Sequence, residues 1–259
     1  MPKQKKFIAD FVVVENQRQT YEFVILTLQY PGSLPVMYPG QFVEVKVEGS
    51  SETYLRRPLS IHDVDYSNNT LKLLIQEVGE GTRLLSSLRP GDKINLIFPL
   101  GSHYSLPSSK NVLLVGGGCG VAPLLFLGRY LKQNGIIPRF LVGARSADQL
   151  VELEAYRKLG EVLVTTEDGS RGTKGFVIHH PVMKTYEPDF DWIYTCGPEP
   201  MMKVLARYAK DRNIVCEVSL ENMMACGIGA CLCCVAPTVD GNKCTCTDGP
   251  VFNAKYLKW

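Results

Sequence analysis

Short apolar runs alternate with turn signals through the first hundred residues. Residues 11–14, 23–28, 42–47, 70–76 and 93–98 are rich in β-branched and aromatic side chains, and Pro31-Gly32, Pro39-Gly40, Asn68-Asn69 and Pro90-Gly91 punctuate them. Such side chains pack well on a pleated surface, while Gly, Pro and Asn supply the torsions of tight turns. The spacing predicts an antiparallel β-barrel over residues 1–102, a form that closes its own edges.

At Asn111 the pattern changes. An apolar run at 112–115 is followed by Gly116-Gly117-Gly118-Cys119-Gly120, and residues 121–131 are apolar enough for a buried helix. Residues 140–142, 162–165 and 192–195 read as further buried strands, with helical stretches at 147–159 and 200–211 between them. Strand alternating with helix predicts an α/β domain over 103–216, a parallel sheet with helices on its faces. Residues 217–259 form a third region, and no internal repeat or low-complexity tract is present.

The chain has 259 residues, 45% hydrophobic and 21% charged, which suits two domains and a small appendage. A formal net charge of +2 gives no electrostatic case for nucleic-acid binding, and the basic opening at 1–7 reads as a solvated start. No apolar run approaches the ~20 residues of a membrane helix. The opening MPKQKK carries no apolar stretch of a secretion signal, so a cytoplasmic location is expected.

Nine cysteines change the picture, because disulfides are poorly maintained in that compartment. Cys119 and Cys196 stand in the first 200 residues and Cys216 alone, while six fall between Cys226 and Cys246. Cys226, Cys231 and Cys234 follow C-x4-C-x2-C, with Cys246 further on, which is the plant-type spacing for a [2Fe–2S] cluster. A loop can deliver three thiolates to two irons only by turning sharply, and Gly227 and Gly229 permit that. Cys233 and Cys244 are spare. A tetrahedral zinc site drawing on Cys231, Cys233, Cys234, Cys244 and Cys246 is the rival, and inert buried thiols the third reading.

Gly116–Gly120 lies between strand and helix, where phosphate can meet helix N-terminal amides. Its spacing is G-G-G-x-G followed by Val121-Ala122-Pro123, not G-x-G-x-x-G, and a plain tight turn is the bland alternative. The strand at 140–142 runs into Gly143-Ala144-Arg145 rather than an acidic residue, so Arg145 hints at a 2′-phosphate, with a surface arginine at a strand end as the more modest reading. A second turn, Cys196-Gly197-Pro198, again joins strand to helix. In the barrel, Arg56-Arg57-Pro58-Leu59-Ser60 offers an arginine fork suited to a diphosphate and a serine suited to a flavin ring, with a solvated arginine pair as the alternative. The four histidines read as structural or exposed, with no carboxylate placed to partner them.

In this order, Pro39-Gly40-Gln41-Phe42, Arg57-Pro58-Leu59-Ser60, Gly116–Pro123 and Cys196-Gly197-Pro198 resemble the signatures of the ferredoxin–NADP reductase superfamily. The C-terminal MACGIGACLCC…CTCTDGPVF is narrower. It is similar to the electron-transfer subunits of two-subunit, NAD-dependent dihydroorotate dehydrogenases of bacterial pyrimidine biosynthesis. The resemblance implies FAD on Arg57, Pro58, Leu59, Ser60, Leu74, Ile75, Gln76, Gly81 and Thr82. It implies NAD at Gly116, Gly117, Gly118, Gly120, Pro123, Cys196, Gly197 and Pro198, and a ferredoxin-like cluster segment with Cys226, Cys231, Cys234 and Cys246 as ligands. The implied partner is an FMN-containing TIM-barrel subunit, in a heterotetramer of two of each.

The function so implied is a relay from that FMN subunit through [2Fe–2S] and FAD to NAD+, with no general acid or base in this chain. A diaphorase subunit of a hydrogenase or glutamate synthase, and a zinc-stabilised binding protein, are the alternatives. The segment 223–252 is expected to present Met223, Met224, Ile228, Leu232 and Phe252 as an apolar contact surface.

Overall fold

The computed structural model describes residues 4–259, so Met1–Lys3 of the basic opening lie outside the described residues. Six strands build the expected barrel: β1 (Phe7–Arg18), β2 (Phe23–Gln29), β3 (Phe42–Val45), β4 (Arg57–Asp65), β5 (Thr70–Gln76) and β6 (Lys93–Leu100). All pair antiparallel and close in the order β1-β2-β5-β4-β3-β6. Alternate side chains such as Phe11, Val13, Val43, Val45, Ile61 and Leu73 fill its interior. The strand β4 and the short helix α1 (Glu80–Ser86) are additions to the expected elements. The polar opening Arg57-Pro58-Leu59-Ser60 hides β4 from an apolar pattern, because proline and arginine argue against a strand.

The second domain follows as β7 (Val112–Gly117), α2 (Ala122–Gln133), β8 (Arg139–Ala144), α3 (Leu153–Arg157), β9 (Val162–Thr166), β10 (Thr173–Lys174), β11 (Trp192–Cys196), α4 (Glu199–Asp211) and β12 (Val215–Ser219). Its sheet runs β10-β9-β8-β7-β11-β12 with parallel pairing throughout. Chain order reverses between β7 and β11, which makes that edge the place where ligands bind in open α/β sheets. The helix expected at 147–159 is broken instead. A 3-10 turn covers Ala147–Gln149, Val151 is buried, and Glu152 takes the left-handed conformation (φ 49°) before α3 begins.

The strand β12 spans the expected boundary at 216/217. Beyond it come the hairpin β13 (Val235–Thr238) and β14 (Gly241–Cys244). The strand β15 (Val251–Asn253) then returns antiparallel to β12, pairing Val218 with Phe252. Ser102, just past β6, gives its hydroxyl to the Val251 carbonyl (3.0 Å) and accepts from the Val251 N–H (3.2 Å). The cysteine segment is thereby tied to both domains.

Candidate functional site

The two arginines at the start of β4 have different surroundings. Arg56 is consumed by the barrel: its Nη1 donates to the carbonyls of Glu44 (3.2 Å) and Asn95 (3.0 Å), and its Nη2 to Asn95 Oδ1 (2.5 Å). Arg57 is half-buried and its guanidinium is without a hydrogen-bond partner among the described residues. It lies over the first turn of α1. A Cβ on Gly81 would fall 3.2 Å from Arg57 Nε and 3.0 Å from Thr53 Cγ2, so any larger residue would push these side chains into the cradle. A free guanidinium beside bare backbone amides fits the diphosphate of a flavin dinucleotide.

Arg57, Pro58, Leu59 and Ser60 are all half-buried, whereas Ile61 to Val64 are buried, so the strand's first half faces an opening. Gln76, on the neighbouring β5, donates to Glu22 Oε2 (3.0 Å). Leu74 and Ile75 bury their side chains in the two cores, which leaves their backbone for any ligand. The Thr82 hydroxyl is engaged by its own turn, accepting from the Val78 and Gly79 N–H groups.

Between barrel and sheet edge opens a cleft of about 630 Å³. Gly117, Gly118, Gly120, Gly197 and Pro198 line it, and Phe23 and Gln76 close it from the barrel side. Gly116 and Pro123 sit behind it, packed on the helix start, and Cys196 is buried. The two turns touch: a Cβ on Gly120 would fall 2.2 Å from the Cys196 carbonyl oxygen. Bare glycine amides facing a cleft at a sheet's carboxyl edge fit a dinucleotide.

Three lining residues escaped the sequence reading. Glu221, past β12, is open to the cleft, yet the protein around it desolvates its carboxyl and raises it above the usual range. It accepts the Cys196 S–H at 3.9 Å, while burial and the Glu221 charge push Cys119 up to about 12. Glu167 and Gln149 line the cleft along with Arg145. No motif marks these positions, since each reaches the cleft from a loop whose path only the fold sets.

In the cysteine segment, Gly227 (φ 66°) and Gly229 (φ 85°) turn the chain as expected, and Leu232 (φ 58°) joins them. The N–H groups of Ile228, Ala230 and Cys231 point at Cys226 Sγ at 3.3 to 3.5 Å. Burial pushes the Cys226 thiol up, but these donors and the Cys231 side chain bring it down to about 6. The Cys246 N–H points at Cys234 Sγ (3.4 Å), and both residues are buried. Burial and the neighbouring Cys234 push Cys246 up to about 12.

The thiols therefore associate two by two, Cys226 with Cys231 and Cys234 with Cys246. Two irons, each needing two protein thiolates, fit that donor set, whereas tetrahedral zinc needs four around a single centre. Cys233 is exposed, and Cys244 belongs to a turn closed by Asp248, whose Oδ2 accepts the Cys244 N–H at 2.8 Å.

The loop rests on the barrel. A Cβ on Gly227 would fall 2.5 Å from Glu44 Cγ, and Glu44 pairs across β3 and β4 with Pro58 of the flavin stretch. Both Glu44 carboxylate oxygens are buried without a partner among the described residues. Desolvation raises this carboxyl to about 7 against the lowering charges of Arg56 and Arg57. The expected apolar surface needs correction in part. Met223 (85% exposed), Leu232 (63%) and Ile228 (48%) do face solvent, but Met224 is buried with Phe42, Leu100, Cys234 and Cys246. Phe252 packs on the sheet through β15, and these two instead fasten the segment down.

Comparisons with known proteins agree with these features. A family model for the iron–sulfur cluster binding domain of dihydroorotate dehydrogenase B matches residues 221–258, and one for an oxidoreductase NAD-binding domain matches residues 114–207. The chain is 38% identical over 249 residues to the dihydroorotate dehydrogenase B (NAD(+)) electron transfer subunit of Caldanaerobacter subterraneus subsp. tengcongensis, covering 95% of this chain and 96% of that one. It is 40% identical to the corresponding subunit of Fusobacterium nucleatum, covering 85% and 86%. Among solved structures, a chain of the NADH-dependent reduced ferredoxin-NADP oxidoreductase superposes with a TM-score of 0.87 at 30% identity, over 100% of this chain and 92% of that one. The flavohem-like FAD/NAD binding domain of nitric oxide dioxygenase from Vibrio cholerae shares the fold, with a TM-score of 0.68 at 21% identity over 79% and 93%.

Proposed function

Because the chain belongs to the family of electron transfer subunits of dihydroorotate dehydrogenase B (NAD(+)), we propose that it carries electrons from dihydroorotate oxidation to NAD+. One observation carries the reading: the three candidate sites are contiguous and in relay order. The cysteine loop sits on Glu44, Glu44 adjoins Pro58 of the flavin strand, and Gln76 at that strand's neighbour borders the glycine-lined cleft. Electron transfer between cofactors requires that proximity.

Each site has named residues with a task. Cys226, Cys231, Cys234 and Cys246 hold the cluster, and the loop's N–H groups stabilise thiolate charge. Arg57 clamps the flavin diphosphate over Gly81, while Ser60 and the backbone of Leu74, Ile75 and Gln76 flank the ring. Gly117, Gly118 and Gly120 seat the nucleotide diphosphate, and Gly197 and Pro198 bound the nicotinamide end. Bound there, the cluster would pass single electrons and the flavin would exchange single electrons or hydride, which joins one-electron to two-electron chemistry. The chain's own contribution is orientation, exclusion of water and charge.

The donor of electrons we infer is an FMN-bearing TIM-barrel subunit, in a cytoplasmic heterotetramer of two of each chain. Among the described residues no helix is long and apolar enough to cross a membrane. Met223, Ile228 and Leu232, exposed on the cluster loop, are the surface that would meet it. A second reading, a subunit of another multisubunit oxidoreductase, draws on the full-length likeness to the NADH-dependent reduced ferredoxin-NADP oxidoreductase. Purification with iron, flavin and visible absorbance quantified tests the cofactors. Reconstitution with an FMN subunit then separates the readings: dihydroorotate-dependent NADH formation is expected, and robust oxidation of dihydroorotate by this chain alone would refute the relay.

A further inference from the structure

His62 is fully buried, yet both of its ring nitrogens engage the neighbouring domain. A β-bulge in β4 explains how. Ile61 and Val64 both enter the barrel core, and the register against β5 shifts between Ile61 and Asp63. The extra residue turns His62 and Asp63 outward together, which is what bulges do when they re-aim a side chain.

The contacts that result are specific. His62 Nδ1 donates to the Ala122 carbonyl at 2.6 Å, and since a carbonyl only accepts, Nδ1 carries the proton. Nε2 faces the Glu152 carboxylate. Burial alone would raise that carboxyl, but the His62 hydrogen bond and charge, with Lys72 and Arg129, bring it below the usual range. Asp63 meanwhile pairs with Arg129 of α2 at 2.7 Å. Glu152 reaches His62 from a left-handed backbone, a strained conformation for a non-glycine residue. This is the same residue that breaks the helix expected at 147–159.

Their location gives these contacts a use. Ser60, two residues before His62 on β4, flanks the proposed flavin ring. Ala122 is the first residue of α2, directly after the glycine turn that faces the nucleotide. The adjacent Val121 carbonyl is held by the Tyr156 hydroxyl at 2.9 Å. The helix end of the glycine turn is therefore fastened to the flavin strand by one buried ring.

We propose that His62 is a positioning residue that sets the spacing between β4 and the glycine turn, and so the approach of nicotinamide to flavin. The inference rests on the functional reading above. In the step concerned, FADH⁻ gives hydride to NAD+ and leaves FAD and NADH, so no proton is required of His62. Orientation errors of about 1 Å can cost about a hundredfold in such a reaction.

Stopped-flow measurement of the hydride step in the assembled holoenzyme, run from NADH, tests the proposal. His62→Gln extends its amide toward Glu152 and gives up the Ala122 contact, whereas His62→Asn keeps a donor near the Nδ1 position. His62→Gln should slow the step between about tenfold and about a hundredfold. It should also weaken the long-wavelength charge-transfer absorbance of the reduced flavin–NAD+ pair, with flavin content and NADH affinity unchanged. His62→Asn should recover most of both signals. Wild-type rate and absorbance in His62→Gln would overturn the proposal, as would equal losses in the two variants or a loss that tracks flavin release. If His62→Gln does not assemble with its flavin, Glu152→Ala decides in its place. It removes the carboxylate that holds Nε2 without touching β4, leaving the Ala122 contact to hold the ring alone, and an undiminished charge-transfer band there overturns the proposal. Wild-type holoenzyme that NADH does not reduce would bring down the functional reading itself, before any variant is compared.

Discussion

The nucleotide cleft and the cysteine loop are built by opposite means. The cleft is an opening left by regular elements: two parallel strands end side by side, two glycine turns follow them, and the cavity lies beyond. The cysteine loop is irregular backbone folded around a fixed point, with three residues at positive φ and N–H groups aimed at sulfur. Gly227 and Gly229 take those torsions without steric cost, and Leu232 is the one non-glycine residue held there. Between them lies the flavin strand, which would hold its group by charge. Bonds, charge and shape form a descending series, and substitutions should fall in that order.

The largest effect belongs to the bonds. Serine at Cys226, Cys231, Cys234 or Cys246 should abolish the cluster, while Cys233→Ser and Cys244→Ser leave it in place. The pairing of Cys246 with Cys234, against the turn position of Cys244, motivates the choice of fourth ligand. Iron and acid-labile sulfide analysis, with the visible spectrum, reads the result. Iron that survives loss of Cys246 but falls with Cys244→Ser would reverse the assignment.

These two regions also differ in how far sequence alone exposes them. The proposed cluster site is local: three of its proposed ligands lie within nine residues, and C-x4-C-x2-C displays the spacing that a cluster of that size asks for. The barrel and the parallel sheet are legible for a similar reason, because period-two alternation and strand–helix succession are properties of short windows. What escaped is long-range. Glu221, Glu167 and Gln149 reach the cleft from separate loops, and His62 finds Glu152 across 90 positions through a bulge that no periodicity announces. The break in the 147–159 helix belongs with these, since Glu152 leaves helical torsions to make a contact in the other domain.

Charge comes next. Arg57→Ala should weaken flavin retention by about 1.5–3 kcal/mol, the scale of a hydrogen bond to a charged group. Arg56→Ala should leave flavin binding much less affected and lower thermal stability instead, because its guanidinium joins β3, β4 and β6 through Glu44 and Asn95. Flavin occupancy after dialysis and the melting temperature, measured on both variants, separate the roles. Unchanged occupancy in Arg57→Ala would remove the diphosphate clamp from the middle of the series.

Shape should give the smallest effect, and it bears on the one place where the residues point both ways. Arg145 follows β8 and Glu167 follows β9, and both line the cleft. An arginine there favours a 2′-phosphate, whereas a carboxylate accepts from a free 2′-hydroxyl and repels phosphate. The expectation is that the carboxylate governs and that NADH is preferred to NADPH, in keeping with the NAD(+)-linked relatives. Glu167→Gln keeps the size of the side chain and removes its charge. It should narrow the preference by about tenfold, or ~1.4 kcal/mol, mainly by raising kcat/KM for NADPH. Arg145→Ala should widen the preference by lowering kcat/KM for NADPH alone. Diaphorase assays with both nucleotides on the three proteins decide the matter. A wild-type preference for NADPH that Arg145→Ala abolishes would make the arginine the selecting group and leave Glu167 a bystander on the wall of the cleft.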